Sequence, residues 1–418
     1  MADCCSGPGL IPFEQAKSML LESVPVVTET ETVPIREADG RTLANTIVSP
    51  LNVPAHDNSA MDGYALRDDA LNSGNGAHKT FIMVGTAMAG KPFNGELKDG
   101  ECIRIMTGAV VPASANSVEM QENVKVDSED ANTIHLQQDS KLANHIRRAG
   151  EDIQIGQEIF SPGYQIKAVD IGLLASLGLA EVTVFRKLKV AFFSTGDELK
   201  QAGEALNTGD IYESNGQVIY SLMTRLGLEV FDLGIIADDK KLIRQAFLKA
   251  DEMADVVISS GGVSVGDADY TKEVLDEIGD INFWKVAMKP GKPFAFGKLP
   301  NSVFYGLPGN PVSATVTCHQ LVVPTLNHMS GQSPKDTLLL NAKTTARIKK
   351  GPGRIDFQRG LAAMDESGQL IVTPHSSQGS GILSSMSRAN CYIVMAAEDG
   401  GCDEDSNVKV QMFDALLS

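Results

Sequence analysis

The chain has 418 residues, which exceeds one ordinary hydrophobic core and predicts about three or four domains. Its formal net charge is −17 and its pI is about 4.9, a balance that argues against a nucleic-acid or membrane-surface partner. The sequence has neither a long apolar stretch nor a signal-peptide pattern, and its six cysteines are scattered without a CxxC pair. These features predict a cytoplasmic protein with reduced thiols and no zinc site.

The first part of the chain is β-rich apart from one short helix. Apolar side chains recur at helical spacing within residues 10–23, whereas residues 26–53 are rich in β-branched side chains. Short alternating strands and frequent glycines at 80–145 predict a small β-domain inserted between two stretches of another domain. Residues 85–91 almost match a phosphate-binding P-loop, but Pro92 stands where a Mg²⁺-binding Ser or Thr belongs, so we reject this interpretation.

Three turns in this part carry polar residues of interest. The segment LNVPAHDNSAMDGYALR (51–67) places Asp62 before a glycine, which holds a carboxylate on a sharply bent backbone. Asp152 lies in the charged turn 145–159, and Thr107 lies in a glycine turn. The alternatives are a surface turn, a solvated charge cluster and a plain hairpin, respectively.

From residue 189 onward, strands and helices alternate. This βαβα rhythm predicts a central, doubly wound, mostly parallel sheet with helices on both faces. In such sheets, ligands bind beyond the carboxyl ends of the strands. Turns bearing Gly, Asp or both follow the predicted strands at 195–198, 238–239, 259–269 and 306–310, so we expect them to converge on one edge.

Two helix starts are predicted in this region. Residues 214–217 read Ser-Asn-Gly-Gln, the pattern of a capping box. Asn310 and Pro311 are predicted to cap and begin the last helix of the sheet domain.

After residue 331 the helical rhythm stops, and alternating apolar residues predict a small C-terminal β-domain. The predicted organisation is therefore multidomain, with α/β and β domains. Its parts are a discontinuous linking domain (1–50 plus 146–180), an inserted β-rich domain (51–145), the α/β catalytic domain (181–330) and the C-terminal β-domain (331–418).

Residues 255–311 carry the strongest chemical signal. A glycine-rich turn contains Asp267 and Asp269, and the charge then reverses along the chain. Residues 251–280 contain nine acids and one lysine, whereas residues 281–300 contain four lysines and no acid. Glycine turns cradle anions, aspartates suit Mg²⁺ and lysines neutralise phosphate, so this segment predicts a site for a phosphorylated ligand and a metal.

A hydrolase is a weaker interpretation of the same turn. Residues 262–266 fit GxSxG, the nucleophile-elbow pattern, with Ser264 as the nucleophile. Extra glycines separate this serine from the strand, and two aspartates intrude where the helix begins. A dinucleotide enzyme is no better supported, because the chain contains no GxGxxG.

Five segments resemble the signatures of one enzyme family and follow its order. They are DNSAMDGYA (57–65), FSTGDEL (193–199), SSGGVSVGDADY (259–270), KVAMKPGKPFAFG (285–297) and GLPGNPVSA (306–314). They are similar to the molybdopterin molybdenumtransferases, the MoeA family, which is related to the E domain of gephyrin. The resemblance implies an elongated, four-domain homodimer, with an elongated linking domain and a β-barrel-like C-terminal domain. It also implies the conversion of adenylylated molybdopterin and molybdate into molybdenum cofactor and AMP, with Mg²⁺ required.

Matching motif positions imply roles for particular residues. Functional acids fall on Asp62, Asp152, Asp238 and Asp269, and functional lysines fall on Lys285 and Lys289. Glu198 and Asp269 are the expected Mg²⁺ ligands. Substrate-binding positions fall on Thr107, Gly261, Gly262, Ser264, Gly291, Lys292, Pro308, Gly309, Asn310, Pro311 and Ser380.

Two alternatives stay open within this resemblance. In the first alternative, the chain performs the preceding step, which is the adenylylation of molybdopterin by MgATP. In the second, it acts as a scaffold, as gephyrin does. Asp62 lies in a different predicted domain from the sheet, so a role in the same site requires it to reach across a cleft, for instance from the second subunit. Contacts with other enzymes of the cofactor pathway are also expected, whereas nucleic acid and membrane are not.

Overall fold

A computed structural model describes residues 9–73, 78–261 and 270–418. Its helices are α1 (Phe13–Ser23), α2 (Asp69–Ser73), α3 (Ala168–Ser176), α4 (Asn215–Arg225), α5 (Lys240–Met253), α6 (Tyr270–Ile278), α7 (Pro311–Thr317), α8 (Val323–Met329) and α9 (Ser384–Ser387). A π-helical turn, Cys318–Val322, joins α7 to α8.

The strands of the first half are β1 (Thr30–Pro34), β2 (Ile47–Val48), β3 (Asn58–Ser59), β4 (Gly63–Leu66), β5 (Thr80–Ala87), β6 (Glu101–Ile105), β7 (Ser117–Met120), β8 (Val124–Val126), β9 (Thr133–Leu136), β10 (Ile146–Arg147), β11 (Glu158–Phe160) and β12 (Glu181–Phe185). Those of the second half are β13 (Lys189–Thr195), β14 (Leu199–Lys200), β15 (Ile211–Tyr212), β16 (Glu229–Ile236), β17 (Val256–Ser260), β18 (Asp280–Lys285), β19 (Met288–Lys289), β20 (Pro293–Lys298), β21 (Val303–Leu307), β22 (Leu340–Thr344), β23 (Ile355–Met364), β24 (Leu370–Pro374), β25 (Cys391–Met395) and β26 (Asn407–Met412).

The N-terminal part contains a β-rich insertion, as its alternating pattern predicts. Six strands form one sheet in the order β7-β4-β6-β5-β9-β8. The segment that precedes this sheet pairs with the segment that follows it. The pairs are β1 with β12, β2 with β11 and β3 with β10, and all are antiparallel. The stretch rejected as a P-loop ends β5 and continues into a turn around Gly90, and no helix follows it there.

The central sheet confirms the predicted α/β architecture. Its strand order is β16-β13-β17-β21-β20-β18. The first four strands are parallel, and β20 and β18 are antiparallel at the far side. Nearly every residue of β13, β17 and β21 is buried, as expected for strands covered on both faces.

Two apolar layers cover this sheet. On one face Phe192, Ile258 and Tyr305 pack with α4, α7 and α8, whereas on the other Phe193 and Phe304 pack with α5 and α6. The alternation of side chains along each strand divides the two layers.

The C-terminal strands close into a barrel, which also agrees with the prediction. The order is β23-β24-β22-β26-β25, and β25 pairs again with β23. The short strand β19, which lies between β18 and β20 in the chain, joins the barrel by pairing in parallel with β23. Phe13 of α1 contacts Phe357 of β23 with ring centroids 5.4 Å apart, so one apolar core continues from the central sheet into the barrel.

Across the part of the chain that the structure describes, no helix combines the length and the apolar character needed to cross a membrane.

Candidate active site

The carboxyl ends of four parallel strands meet at one edge of the central sheet, which we call the strand-end edge. Register places Thr195 beside Ile236, Ser194 beside Ser260 and Ser260 beside Leu307. The four turns that follow β13, β16, β17 and β21 therefore start side by side, as the sequence predicts.

The lysine-bearing hairpin reaches the same edge through antiparallel strands. Lys285, the last residue of β18, pairs with Pro293, and β20 runs back beside β21 with Ala295 opposite Gly306. Residues 286–292 consequently project beyond the carboxyl end of β21. The acidic turns and the lysines, which are separate in sequence, are thus brought to one edge of the sheet.

Two glycines at this edge are required by close approach of the backbone. Gly261 has φ of +89°, and a Cβ there would lie 2.6 Å from the carbonyl oxygen of Thr195. Gly291, in the lysine hairpin, has φ of +107°, and a Cβ there would lie 2.2 Å from Thr317 Oγ1. Any larger residue would be strained at both positions.

An acidic cluster formed by Asp197, Glu198 and Asp238 lies on this edge. The backbone N–H of Asp238 donates to Asp197 Oδ1 at 3.0 Å. Burial raises the pKa of Asp238, and the negative charges of Asp197 and Glu198 raise it further. No ion pair within the described ranges neutralises these three carboxylates, so the cluster carries uncompensated negative charge.

The neighbouring Asp239 has a structural role instead. It is the N-cap of α5, and its carboxylate accepts hydrogen bonds from the backbone of Lys241 at 2.9 Å and Leu242 at 3.0 Å. Of Asp238 and Asp239, only Asp238 therefore belongs to the acidic cluster, and its pKa is raised.

The acidic cluster suits a hard cation without forming a closed cage. Among the described side chains, three metal-binding groups come within 4.8 Å of one another only at Asp68, His78 and Asp99, in the inserted region. Mg²⁺ takes one or two carboxylates together with water and phosphate oxygens, so it does not need three preassembled protein ligands. The donors at the strand-end edge therefore fit Mg²⁺ held jointly with a phosphorylated substrate.

Asn215 is a candidate residue that motif positions do not single out. Its side-chain Nδ2 donates to Ser260 Oγ at 2.7 Å and to the carbonyl oxygen of Gly309 at 2.8 Å. Its Oδ1 is buried and, among the residues described, lacks a hydrogen-bond partner, as do Thr195 Oγ1 and Ser259 Oγ. Buried polar atoms without partners are rare in proteins, so three of them at one edge favour a ligand or water bound there.

The capping box predicted at this helix is wrong. Ser214 is the N-cap of α4 but makes no side-chain capping bond. Glu213 replaces it, because its Oε1 accepts from the backbone N–H of Gly216 at 2.5 Å and from Ser194 Oγ at 3.0 Å. A residue one place earlier thus satisfies the helix terminus, and Asn215 is left to bridge the strand ends.

The loop with Pro308, Gly309, Asn310 and Pro311 contacts the barrel. Pro311 begins α7 and Asn310 is its N-cap, as predicted, although the Asn310 side chain makes no capping bond. The backbone N–H of Val312 donates to the carbonyl oxygen of Ser380 at 3.0 Å. The structure therefore brings Ser380 of the barrel beside the expected substrate loop.

Lys289 forms an ion pair between the lysine hairpin and the barrel. Its Nζ lies 3.2 Å from Oδ2 of Asp356 in β23, and the two side chains are 44% and 3% exposed. Lys285 and Lys292 hold the hairpin through backbone carbonyls, which accept from Ile11 and Val286, each at 2.9 Å. Asp356, like Asn215, is absent from the predicted residues, since it follows a Gly-rich turn without any motif.

Asp62 and Thr107 are joined to each other in the inserted region. Asp62 Oδ1 accepts from the backbone N–H of Thr107 at 2.7 Å and from its Oγ1 at 2.8 Å, and these bonds lower the pKa of Asp62. Asp152 lies in an exposed turn, where its N–H donates to the carbonyl oxygen of Val53 at 3.1 Å. Within the described ranges, no hydrogen bond or ion pair links these three residues to the strand-end edge.

Four residues expected in the central turn, Gly262, Ser264, Asp267 and Asp269, lie outside the described residues.

Comparison with known proteins defines the class of this fold and site. The central region, residues 191–328, matches the family described as "Probable molybdopterin binding domain". It is flanked by matches to "MoeA N-terminal region (domain I and II)" at residues 11–178 and "MoeA C-terminal region (domain IV)" at 341–413. The chain thus combines an α/β domain of this family with MoeA-type flanking regions.

Similarity to individual proteins extends along the whole chain. The molybdopterin molybdenumtransferase of Haemophilus influenzae is 44% identical over 409 residues, which cover 98% of this chain and 100% of that protein. The Nostoc enzyme of the same name is 35% identical over 72% of this chain and 70% of its own. The crystal structure of the MoeA protein from Pyrococcus horikoshii OT3 has a TM-score of 0.83 at 28% identity and covers 97% of this chain and 100% of its own. The chain belongs to the molybdopterin molybdenumtransferase family, which confirms the resemblance carried by its motifs.

Proposed function

We propose that this enzyme inserts molybdate into adenylylated molybdopterin and releases AMP, in the last part of molybdenum-cofactor biosynthesis. The observation that carries the proposal is the meeting of the acidic cluster and the lysine hairpin at one sheet edge. A substrate with a pyrophosphate link needs both, because cations neutralise the phosphates and acids hold a metal beside them.

The reaction cleaves a phosphoanhydride, for which positioning and electrostatic stabilisation supply most of the rate. Lys285 and Lys289 attract molybdate and the substrate phosphates from the hairpin. Gly261 and Gly291 allow the central turn and the lysine hairpin to lie close against Thr195 and Thr317 at this edge. The loop 308–311 and Ser380 bound the substrate on the barrel side.

Mg²⁺ held by Glu198 and Asp238, together with Asp269 from the undescribed turn, would neutralise charge that develops on the phosphates. The raised pKa of Asp238 supports this assignment, since a nearby cation would relieve the repulsion among the three acids. Gly262 and Ser264 are proposed to contact the substrate from the same turn.

Asp62, Thr107 and Asp152 are proposed to act from the second subunit of a homodimer. Their own chain shows no bond from them to the strand-end edge within its described residues, although motif position assigns them to the site. The bond from Thr107 holds the Asp62 carboxylate in one orientation and keeps it ionised, which suits a residue presented to a neighbouring site. A strictly monomeric but fully active protein would contradict this arrangement.

The domain limits deduced from sequence are proposed with the function: a linking domain at 1–50 and 146–180, an insertion at 51–145, a catalytic domain at 181–330 and a barrel domain at 331–418. Contacts with other pathway enzymes and a cytoplasmic location are part of the same proposal.

The alternatives are less well supported. Adenylylation of molybdopterin requires the molybdopterin-binding domain, yet the similarity of this chain to molybdenumtransferases covers its flanking regions as well. A gephyrin-like scaffold role has no supporting feature in the described structure.

The decisive measurement is AMP release from purified protein given adenylylated molybdopterin, with and without molybdate and Mg²⁺. We expect release that depends on both and a product that reconstitutes an apo-molybdoenzyme. Chelation with EDTA should abolish release and added Mg²⁺ should restore it. Consumption of ATP with metal-free molybdopterin, without AMP release from the adenylylated form, would favour the adenylyltransferase instead.

A further inference from the structure

The ion pair between Lys289 and Asp356 joins two parts of the fold. Strand β19 leaves the central sheet and pairs in parallel with β23, which sets Lys289 opposite Asp356 in the backbone register. Their side chains then meet, with Nζ and Oδ2 3.2 Å apart. The partner of a hairpin residue at the strand-end edge is therefore a barrel residue 67 positions later in the chain.

The two members of this pair differ in exposure. The Asp356 side chain is 3% exposed, whereas that of Lys289 is 44% exposed. A buried carboxylate needs a compensating cation and hydrogen bonds. Gln358 Nε2 supplies a hydrogen bond to Asp356 Oδ2 at 3.1 Å, and Lys289 supplies the charge.

Two further cations, Lys350 and Arg359, lie near Asp356, but their hydrogen bonds go to other groups. Lys350 Nζ donates to the carbonyl oxygens of Gly351, Ala397 and Asp399, at 3.2, 3.4 and 2.7 Å. Burial lowers the pKa of Lys350, and the charge of Asp356 acts in the opposite direction. Arg359 is fully buried and donates from Nε to Ser385 Oγ at 3.1 Å.

The backbone of Asp356 lies in a packed strand, whereas its partner Lys289 has a long, flexible side chain. The next residue, Phe357, lies in the core that joins the barrel to α1 and contacts both Phe13 and Tyr392. A lysine side chain has four carbons and about 2 kcal/mol of rotamer entropy, so an exposed ammonium samples many positions unless it is held. Asp356 offers it a fixed anchor from a packed strand.

We infer that Asp356 is a positioning residue, which holds the Lys289 ammonium at the strand-end edge where the anionic substrates bind. The inference deepens the proposed function and rests on it. Asp356 does not touch the substrate in this scheme, because its carboxylate is buried behind Lys289. Its contribution to the reaction passes entirely through that lysine.

A double-mutant cycle tests this inference. Wild type, Lys289→Ala, Asp356→Asn and the double variant are assayed for kcat and KM of molybdate-dependent AMP release. We expect Asp356→Asn to lower kcat/KM by about tenfold or more, as small displacements of a positioned group do. In the Lys289→Ala background the same substitution should have no further effect, because the group that it positions is gone.

A matched control separates positioning from folding. Asp251 is also a buried carboxylate, bonded to Asn301 and Ser302, at the opposite edge of the central sheet. Asp251→Asn should lower the unfolding midpoint but leave kcat/KM unchanged. Where Asp356→Asn does not fold, Asp356→Glu keeps the charge and displaces it, and it should show the same non-additivity with Lys289→Ala.

The outcomes distinguish this inference from the proposed function. Equal losses from Asp356→Asn with and without Lys289, or a loss of stability alone as for Asp251→Asn, would overturn the positioning role while the function stands. Absence of AMP release from wild type under every condition would overturn the proposed function, and the positioning role with it.

Discussion

Both edges of the central sheet carry acidic residues, but the partners of these acids differ. At the edge opposite the turns, Asp255 precedes β17 and accepts two hydrogen bonds from Arg186, at 2.7 and 2.8 Å. Burial acts to raise the pKa of Asp255, yet Arg186 and the backbone N–H of Lys189 outweigh it and the pKa is lowered. At the strand-end edge the pKa of Asp238 is raised.

The difference distinguishes a structural edge from a functional one. Asp251 and Asp255 are acids with partners, whereas Asp197, Glu198 and Asp238 face one another without a cation among the residues described. Among the residues that the structure describes, buried polar atoms without hydrogen-bond partners also lie at the strand-end edge, at Thr195 and Ser259. A protein tolerates such groups where a ligand supplies the missing interactions.

The largest expected effect comes from neutralising an acid at the strand-end edge. Glu198→Gln should lower kcat for AMP release by about 100-fold, because it removes charge that holds the metal beside the phosphates. The fold should be retained, since Glu198 forms no ion pair in the described structure. Unfolding midpoints and turnover at increasing Mg²⁺ are the measurements, and turnover equal to wild type would contradict the division between the edges.

The opposite edge should respond in stability rather than in activity. Asp255→Asn leaves Arg186 without its main partner and should cost about 2 kcal/mol, less than a fully buried pair because both side chains keep some exposure. Urea unfolding measures this cost. A fall in kcat at a temperature where the variant is fully folded would show that the two edges are coupled.

Asn215 and Asn301 allow the two edges to be compared through one asparagine at each. Asn215→Ala removes the hydrogen bonds to Ser260 and Gly309, so the substrate loop loses its tether. For two bonds of about 1 kcal/mol each, KM should rise about 30-fold. Asn301→Ala is the matched control, since it removes the hydrogen bond that Asn301 Nδ2 donates to Asp251 Oδ2 at the other edge. A change in kcat with KM unaltered would contradict the tethering role.

The pH dependence of stability should have opposite signs at the two edges. Asp255 has a lowered pKa when folded, so it stabilises the fold above its usual pKa of 3.8, and this stabilisation is lost as the pH falls through the lowered value. Asp238 has a raised pKa, so it destabilises the fold at neutral pH, and the penalty disappears below 3.8.

Urea unfolding of two variants between neutral and acid pH measures these signs. Asp255→Asn should be less stable than wild type at neutral pH, and Asp238→Asn slightly more stable. Both differences should shrink as the pH falls below the ordinary range of a carboxyl group. Destabilisation by Asp238→Asn at neutral pH would show that its carboxylate is compensated after all.

The sequence by itself predicted the central sheet, the barrel and the family. Continuous apolar runs such as β13 and β17 identify strands buried on both faces, and the turns that follow them carry their own glycines and acids. Such signals are local, so they need no knowledge of the rest of the fold. The position of the lysine hairpin follows from them only once β18 and β20 are known to be antiparallel.

Only the tertiary structure decided which polar groups have partners. Local pattern proposed Ser214 as a cap, yet Glu213 takes that place because the fold brings it to both Ser194 and the helix terminus. The pairing of Lys289 with Asp356 depends on a two-residue strand that leaves one sheet for another. Contacts between distant segments depend on packing and strand register. The local sequence around one partner predicts neither of them.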